Sequence, residues 1–151
     1  MFKALLAIAL GLSVITMSAR AAEFGTRDEA VAMVKRVQDM FKKDGPDTTF
    51  KAITAKLAEF HDRDLYPFVY DLNGVNVAHG ADPTLVGKNL INVKDDNGKL
   101  LIQEIIAVAK GSGSGWVDFR WPNPITKQIQ DKSSFVQLLG DKYVVGVGIY
   151  K

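Results

Sequence analysis

The chain has no cysteine among its 151 residues. That excludes disulfides, thiol chemistry, haem attachment through Cys-x-x-Cys-His and a lipidated N-terminal cysteine. Histidine is nearly as scarce: only His61 and His79, in different elements. No His-x-x-x-His pair and no Gly-x-Ser-x-Gly nucleophile elbow occurs, and the carboxylates are scattered. No catalytic set emerges, so no enzyme, metal centre or cofactor is expected. An excess of one charge is also missing. The chain carries 19 Lys+Arg against 17 Asp+Glu. Nothing here suits nucleic acid, whose phosphates require a basic surface.

Long apolar runs are absent except at the start. Lys3 is followed by an apolar stretch from Ala4 to Met17, interrupted by Ser13 and Thr16, and then by Ala19-Arg20-Ala21. This is the pattern of a cleavable secretory signal peptide. The run falls short of the roughly 20 apolar residues a spanning helix needs. Cleavage is expected after Ala21, leaving residues 22–151 as a single domain. It would remove Lys3 and Arg20 but no acid, so the remaining chain balances at 17 against 17. Roughly 130 residues can hold a core without disulfides. With no second hydrophobic span, signalling across a membrane would need a partner.

Several patterns define the elements. Thr26 and Glu29 have capping-box spacing. Behind them Ala30, Met33, Val34, Val37, Met40 and Phe41 recur at helical intervals up to Gly45-Pro46. A second helix, capped by Asp47 or Thr48, carries Phe50, Ile53, Leu57 and Phe60 on one face and ends near His61 to Asp64. That mixed cluster reads as solvated charge.

Two alternating runs then flank Asn73-Gly74. Tyr66, Phe68, Tyr70 and Leu72 share one strand face, and Val75, Val77 and His79 alternate after the turn. A two-residue hairpin with positive φ at both central positions is expected. Asp95 to Gly98 resembles a calcium loop but fails, because the twelfth position is Ile106 rather than Glu. It reads as a turn into a helix bearing Leu100, Leu101, Ile105, Val108 and Ala109. Gly111 to Gly115 reads as a flexible linker. Three strands follow, at residues 115–121, 132–139 and 143–150. Val117, Phe119 and Trp121 face one way; Trp116, Asp118 and Arg120 face the other. Gly146 and Gly148 mark a close approach, by the long helix or by a ligand, with the helix expected. The count is an α+β domain with a five-stranded antiparallel sheet and the long N-terminal helix on one face.

The run from Asp71 to Leu90, DLNGVNVAHGADPTLVGKNL, followed by DDNGK, GWVDFRWPNP and VVGVGIY, is similar to the extracytoplasmic Cache family in its small single-domain form. The likeness runs from about Leu65 to Tyr150. It implies a PAS-like fold and a periplasmic pocket for small organic ligands. The family's strand ending in Trp-Pro, followed by a Lys before an aromatic strand, corresponds here to Trp121-Pro122 and Lys132. Family members often have Tyr where this chain has Phe119 and Phe135.

An aromatic pocket is therefore expected from Tyr66, Phe68, Tyr70, Phe119 and Trp121, with His79 and Lys132 as its polar groups. A partly buried ammonium needs an anionic partner, and a ligand carboxylate fits. The plain structural alternatives are core aromatics, a His79 bonded to a loop carbonyl, and a solvated Lys132. Two functions stay open: a non-catalytic module that binds a small organic acid, and an interaction protein docking on a membrane receptor, kinase or transporter.

Overall fold

A computed structural model describes residues 23–151; the expected signal peptide lies outside them. Helix α1 spans Arg27–Thr54, helix α2 Leu101–Ser112, and five strands run Pro67–Asp71 (β1), Asn76–His79 (β2), Ser114–Pro122 (β3), Ile129–Leu139 (β4) and Tyr143–Tyr150 (β5). The strands form one antiparallel sheet in the order β2-β1-β5-β4-β3. This is the PAS-like α+β architecture expected from the sequence.

The capping box forms: the Thr26 side chain accepts from the Glu29 N–H, and Glu29 accepts from the Thr26 N–H at 2.8 Å. The two expected N-terminal helices are present as two segments of α1 that meet at a single non-helical residue. Gly45 has φ +81 and ψ 175, a conformation cheap only for glycine, and Pro46 restarts the helix with its fixed φ. The helix stops at Thr54, short of His61. Leu57 consequently falls outside it and is exposed, while Phe60 is buried in a short 3-10 turn.

The hairpin differs from the two-residue turn. Asp71 pairs through its N–H with the Val75 carbonyl, and the Gly74 N–H returns to the Asp71 carbonyl. Three residues therefore form the loop, and only Gly74 has positive φ. The Asp71 carboxylate explains the choice, accepting from the Asn73 and Val75 N–H groups at 2.9 and 3.0 Å.

Gly111 to Gly115 is not a linker. Gly111 and Ser112 complete α2, Gly113 at φ +83 ends it, and β3 begins at Ser114. The Asp95 carboxylate builds the turn into α2, accepting from Asn97, Lys99 and Arg120 N–H groups.

The sheet separates two cores. On one face Ala30, Met33, Val34, Val37 and Ile53 of α1 pack on Val145, Val147 and Leu139. On the other, Leu101, Ile102 and Ile105 of α2 cover Phe68, Tyr70, Val117, Phe119, Val136 and Val144.

Candidate functional site

Strand register assembles the site on the α2 face. Lys132 pairs with Phe119 on one side and Tyr150 on the other, so all three side chains leave the same face in one row. Two same-face rows along, beyond Ser134 and Gly148, Phe68 pairs with Gly146 and with His79. Phe68, Tyr70, His79, Phe119, Trp121 and Lys132 line one compartment, closed from outside the sheet by Leu101, Ile102 and Ile105 of α2. Six of the seven residues expected from sequence therefore meet. The seventh, Tyr66, does not line the cavity; its hydroxyl holds the Lys132 ammonium nitrogen at 2.9 Å.

The cavity is smaller than expected for a metabolite. Its volume is about 10 Å³, close to the minimum for one water molecule. Aromatic rings and α2 fill the rest.

The two glycines of β5 face this compartment and not the long helix. A Cβ on Gly146 would lie 2.2 Å from the Phe68 ring, and one on Gly148 would lie 2.4 Å from Lys132 Cε. Strand alternation gives the reason: Val145 and Val147 take the α1 side, leaving residues 146 and 148 on the other. Without those glycines neither Phe68 nor the Lys132 stem could lie flat on the sheet.

Lys132 is 1 % exposed, which excludes the solvated strand-end alternative. Its Nζ lies 4.2 Å from the Tyr66 ring centroid, 5.0 Å from that of Tyr150 and 5.4 Å from that of Phe68. These ring faces favour a cation. Among the described residues no carboxylate comes within ion-pair distance of it. Burial pulls its pKa down to about 7, opposed by the charge of Asp64.

His79 is also buried, but not bonded to a carbonyl. Its Nδ1 accepts from the N–H groups of Ala81 at 3.2 Å and Asp82 at 2.9 Å. A nitrogen that accepts carries no proton, so the neutral ring bears its proton on Nε2. Burial first, then the Lys132 charge, drives its pKa down to about 3. His79 is thus a fixed neutral donor. Burial raises the pKa of Tyr66 well above the ordinary phenol value, and that of Tyr70 to about 12.

Sequence reasoning missed three neighbours. Tyr150 OH lies 2.9 Å from Tyr66 OH. Ser134, two residues beyond Lys132 on the same face, is fully buried with an unpartnered hydroxyl. Strand alternation from Lys132 and Gly148 was signal enough for both. Asp64 is fully buried, one oxygen accepting from the Gly25 N–H at 2.7 Å and the other unpartnered. That overturns the solvated reading at Asp64, while Asp62 of the same cluster stays exposed; only the three-dimensional packing carries the information. Phe135, the second position where family members often have Tyr, faces α1 and packs on Trp116 at 5.6 Å. Arg120 leaves the outer side of β3 and pairs with Asp96 at 2.8 Å and Asp131 at 2.9 Å.

A sheet with a helix on each side and a buried, cation-bearing compartment under the shorter one defines a sensor domain of the PAS-like class. The chain matches the single Cache domain 2 family over residues 1–151 and belongs to it. Cache domains are extracytoplasmic sensor modules without catalytic activity. The chain is 38% identical over 119 residues to the sensor histidine kinase MctS of Rhizobium johnstonii, covering 76% of this chain and 25% of that one. It is 31% identical over 91 residues to the methyl-accepting chemotaxis protein McpP of Pseudomonas putida, covering 60% of this chain and 17% of that one. It spans a quarter or less of these relatives' lengths. Among solved structures it resembles a methyl-accepting chemotaxis protein from Vibrio parahaemolyticus, with TM-score 0.70, 29% identity and coverage of 82% and 86% of the two chains. It also resembles a Cache chemosensory domain solved for carboxylic acid recognition, with TM-score 0.64, 26% identity and the same coverages.

Proposed function

We propose that the domain binds a small carboxylate in the α2-face compartment, performs no chemistry on it, and works outside the cytoplasm after removal of residues 1–21. The observation that carries this is Lys132: a buried amine lining a cavity, with no carboxylate of the described residues within ion-pair distance. A buried charge without a partner is costly, and a ligand anion offsets that cost. His79 adds a second N–H donor, and the aromatic and aliphatic walls suit a short carbon chain. The resemblance to a domain solved for carboxylic acid recognition supports the same class.

A cavity of about 10 Å³ cannot hold even a two-carbon acid without rearrangement. The strands are tied to one another by ladder hydrogen bonds, whereas α2 rests on the sheet through side chains. Entry therefore moves α2 outward.

The similarity to parts of a kinase and a chemoreceptor supports a sensory role, with occupancy passed to a membrane-bound signalling or transport partner. Calorimetry with acetate, propionate, lactate, pyruvate and short amines tests the ligand class. The acids should bind and the amines should not, and Lys132→Ala should abolish the response. Equal binding by both proteins removes Lys132 from the site. Crosslinked pull-down from membrane fractions tests the partner, and recovery of no membrane protein counts against it.

A further inference from the structure

Three hydrogen bonds run outward from Lys132, and counting protons fixes their direction. Tyr150 OH lies 2.7 Å from the Pro122 carbonyl oxygen. A carbonyl has no proton to give, so the single Tyr150 proton is committed there. The 2.9 Å contact between the two phenol oxygens must then use the proton of Tyr66. With that proton committed, the 2.9 Å contact between Lys132 Nζ and the Tyr66 oxygen can only be donated by the lysine. The order is Lys132 N–H to Tyr66 O–H to Tyr150 O–H to the Pro122 carbonyl.

We propose that Tyr150 is a positioning residue for the binding site: by committing its proton to Pro122 it makes Lys132 the donor toward Tyr66, and so favours the cationic, anion-accepting form of the lysine over the neutral amine. An oxygen that only accepts from Nζ favours the ammonium over the neutral amine. Were the Tyr66 proton free, it would turn toward the lone pair of a neutral Nζ and favour that form instead.

The other groups around Nζ do not duplicate this role. Phe68 of β1 and Phe119 of β3 contribute ring faces. His79 of β2 is neutral, with Asp82 and Lys56 nearby. Asp64, ahead of β1, favours the cation by its charge. From α2 the compartment receives only Leu101, Ile102 and Ile105. Tyr150 also presents its ring to Nζ at 5.0 Å, so Tyr150→Phe keeps the ring and deletes only the hydroxyl.

The test follows the Lys132 side chain by NMR on lysine-labelled protein across a pH series, with no ligand present. Tyr150→Phe should move the Lys132 titration midpoint down by about one pH unit. Tyr66→Phe removes the link, so adding Tyr150→Phe to it should change nothing further, as expected when one residue acts only through another. An unchanged midpoint in Tyr150→Phe, or an equal shift in both backgrounds, overturns the proposal.

A second arm rests on the carboxylate reading. Acetate should bind Tyr150→Phe about five- to tenfold more weakly than wild type at pH 7.5, and the two should converge at about pH 5, below both titration midpoints, where both amines are charged. A pH-independent loss overturns the directional account. If acetate and its homologues bind neither protein, the carboxylate reading fails, while the ligand-free titration still decides the role of Tyr150.

Discussion

The two faces of the sheet are built from the same strands and differ in what they tolerate. The α1 face is apolar and closed at its centre: Met33, Val34, Val37, Ile53, Val145 and Val147 are fully buried. The α2 face holds a lysine, a histidine and a cluster of phenols under a twelve-residue helix. The difference arises from alternation on β5, which presents valines to α1 and glycines to α2. One face is optimised for packing. The other gives up packing and places polar groups in low dielectric, which is how a site is prepared for a charged ligand.

The largest expected effect breaks the closed face. Ile53→Ala opens a cavity under α1 and should cost about 2–5 kcal/mol of stability, read by denaturant unfolding, with carboxylate affinity unchanged at a temperature where the protein stays folded. The next change should do the opposite on the open face. Lys132→Met should weaken acetate binding about a hundredfold, or about 2.7 kcal/mol. Its unfolding free energy should equal or exceed that of wild type, because an unpaired buried cation gives way to a hydrophobe of similar length. Loss of both stability and affinity would mean that Lys132 is structural.

Gly146→Ala tests the glycine side of the comparison. A Cβ 2.2 Å from the Phe68 ring forces that ring off its position, costing about 1–3 kcal/mol and lowering affinity, whereas Val145→Ala on the opposite side should lower stability alone.

The smallest effects are in pH dependence. The lysine titrates at about 7 when folded and near 10.4 when unfolded, so between those values the unfolded chain binds more protons. Stability therefore rises with pH across that window, and the rise should be missing in Lys132→Met. For His79, at about 3 when folded against roughly 6.5 unfolded, stability falls as pH drops through that interval, and His79→Gln should flatten the fall. Affinity for acetate should decline above pH 7, by up to about tenfold per unit, as the amine loses its proton.

Much of the site was legible because strand alternation is local. Val117, Phe119 and Trp121 had to share a face, and so did Tyr66, Phe68 and Tyr70. The capping box and the break at Gly45-Pro46 were equally readable, since both depend on residues within one turn. The partner of the glycines was not, because a missing side chain records that something approaches but not what. The extent of helix α2 was also missed: Gly111 and Ser112 are poor helix residues that remain helical because α2 is packed on the sheet.

By itself, the sequence determined which residues point which way along each strand and that no thiol exists, while the family resemblance added the expectation that Lys132 and His79 meet in an aromatic compartment. The tertiary structure alone decided what those two groups became. Tyr66 and Tyr150 lie 84 residues apart and Tyr66 and Lys132 lie 66 apart; only the β1-β5-β4 register brings them together. Two backbone N–H groups at the end of β2 selected the His79 tautomer, and the packing of α2 set the cavity size. Protonation states and volumes follow from burial and from the direction of hydrogen bonds, and neither exists until distant segments meet.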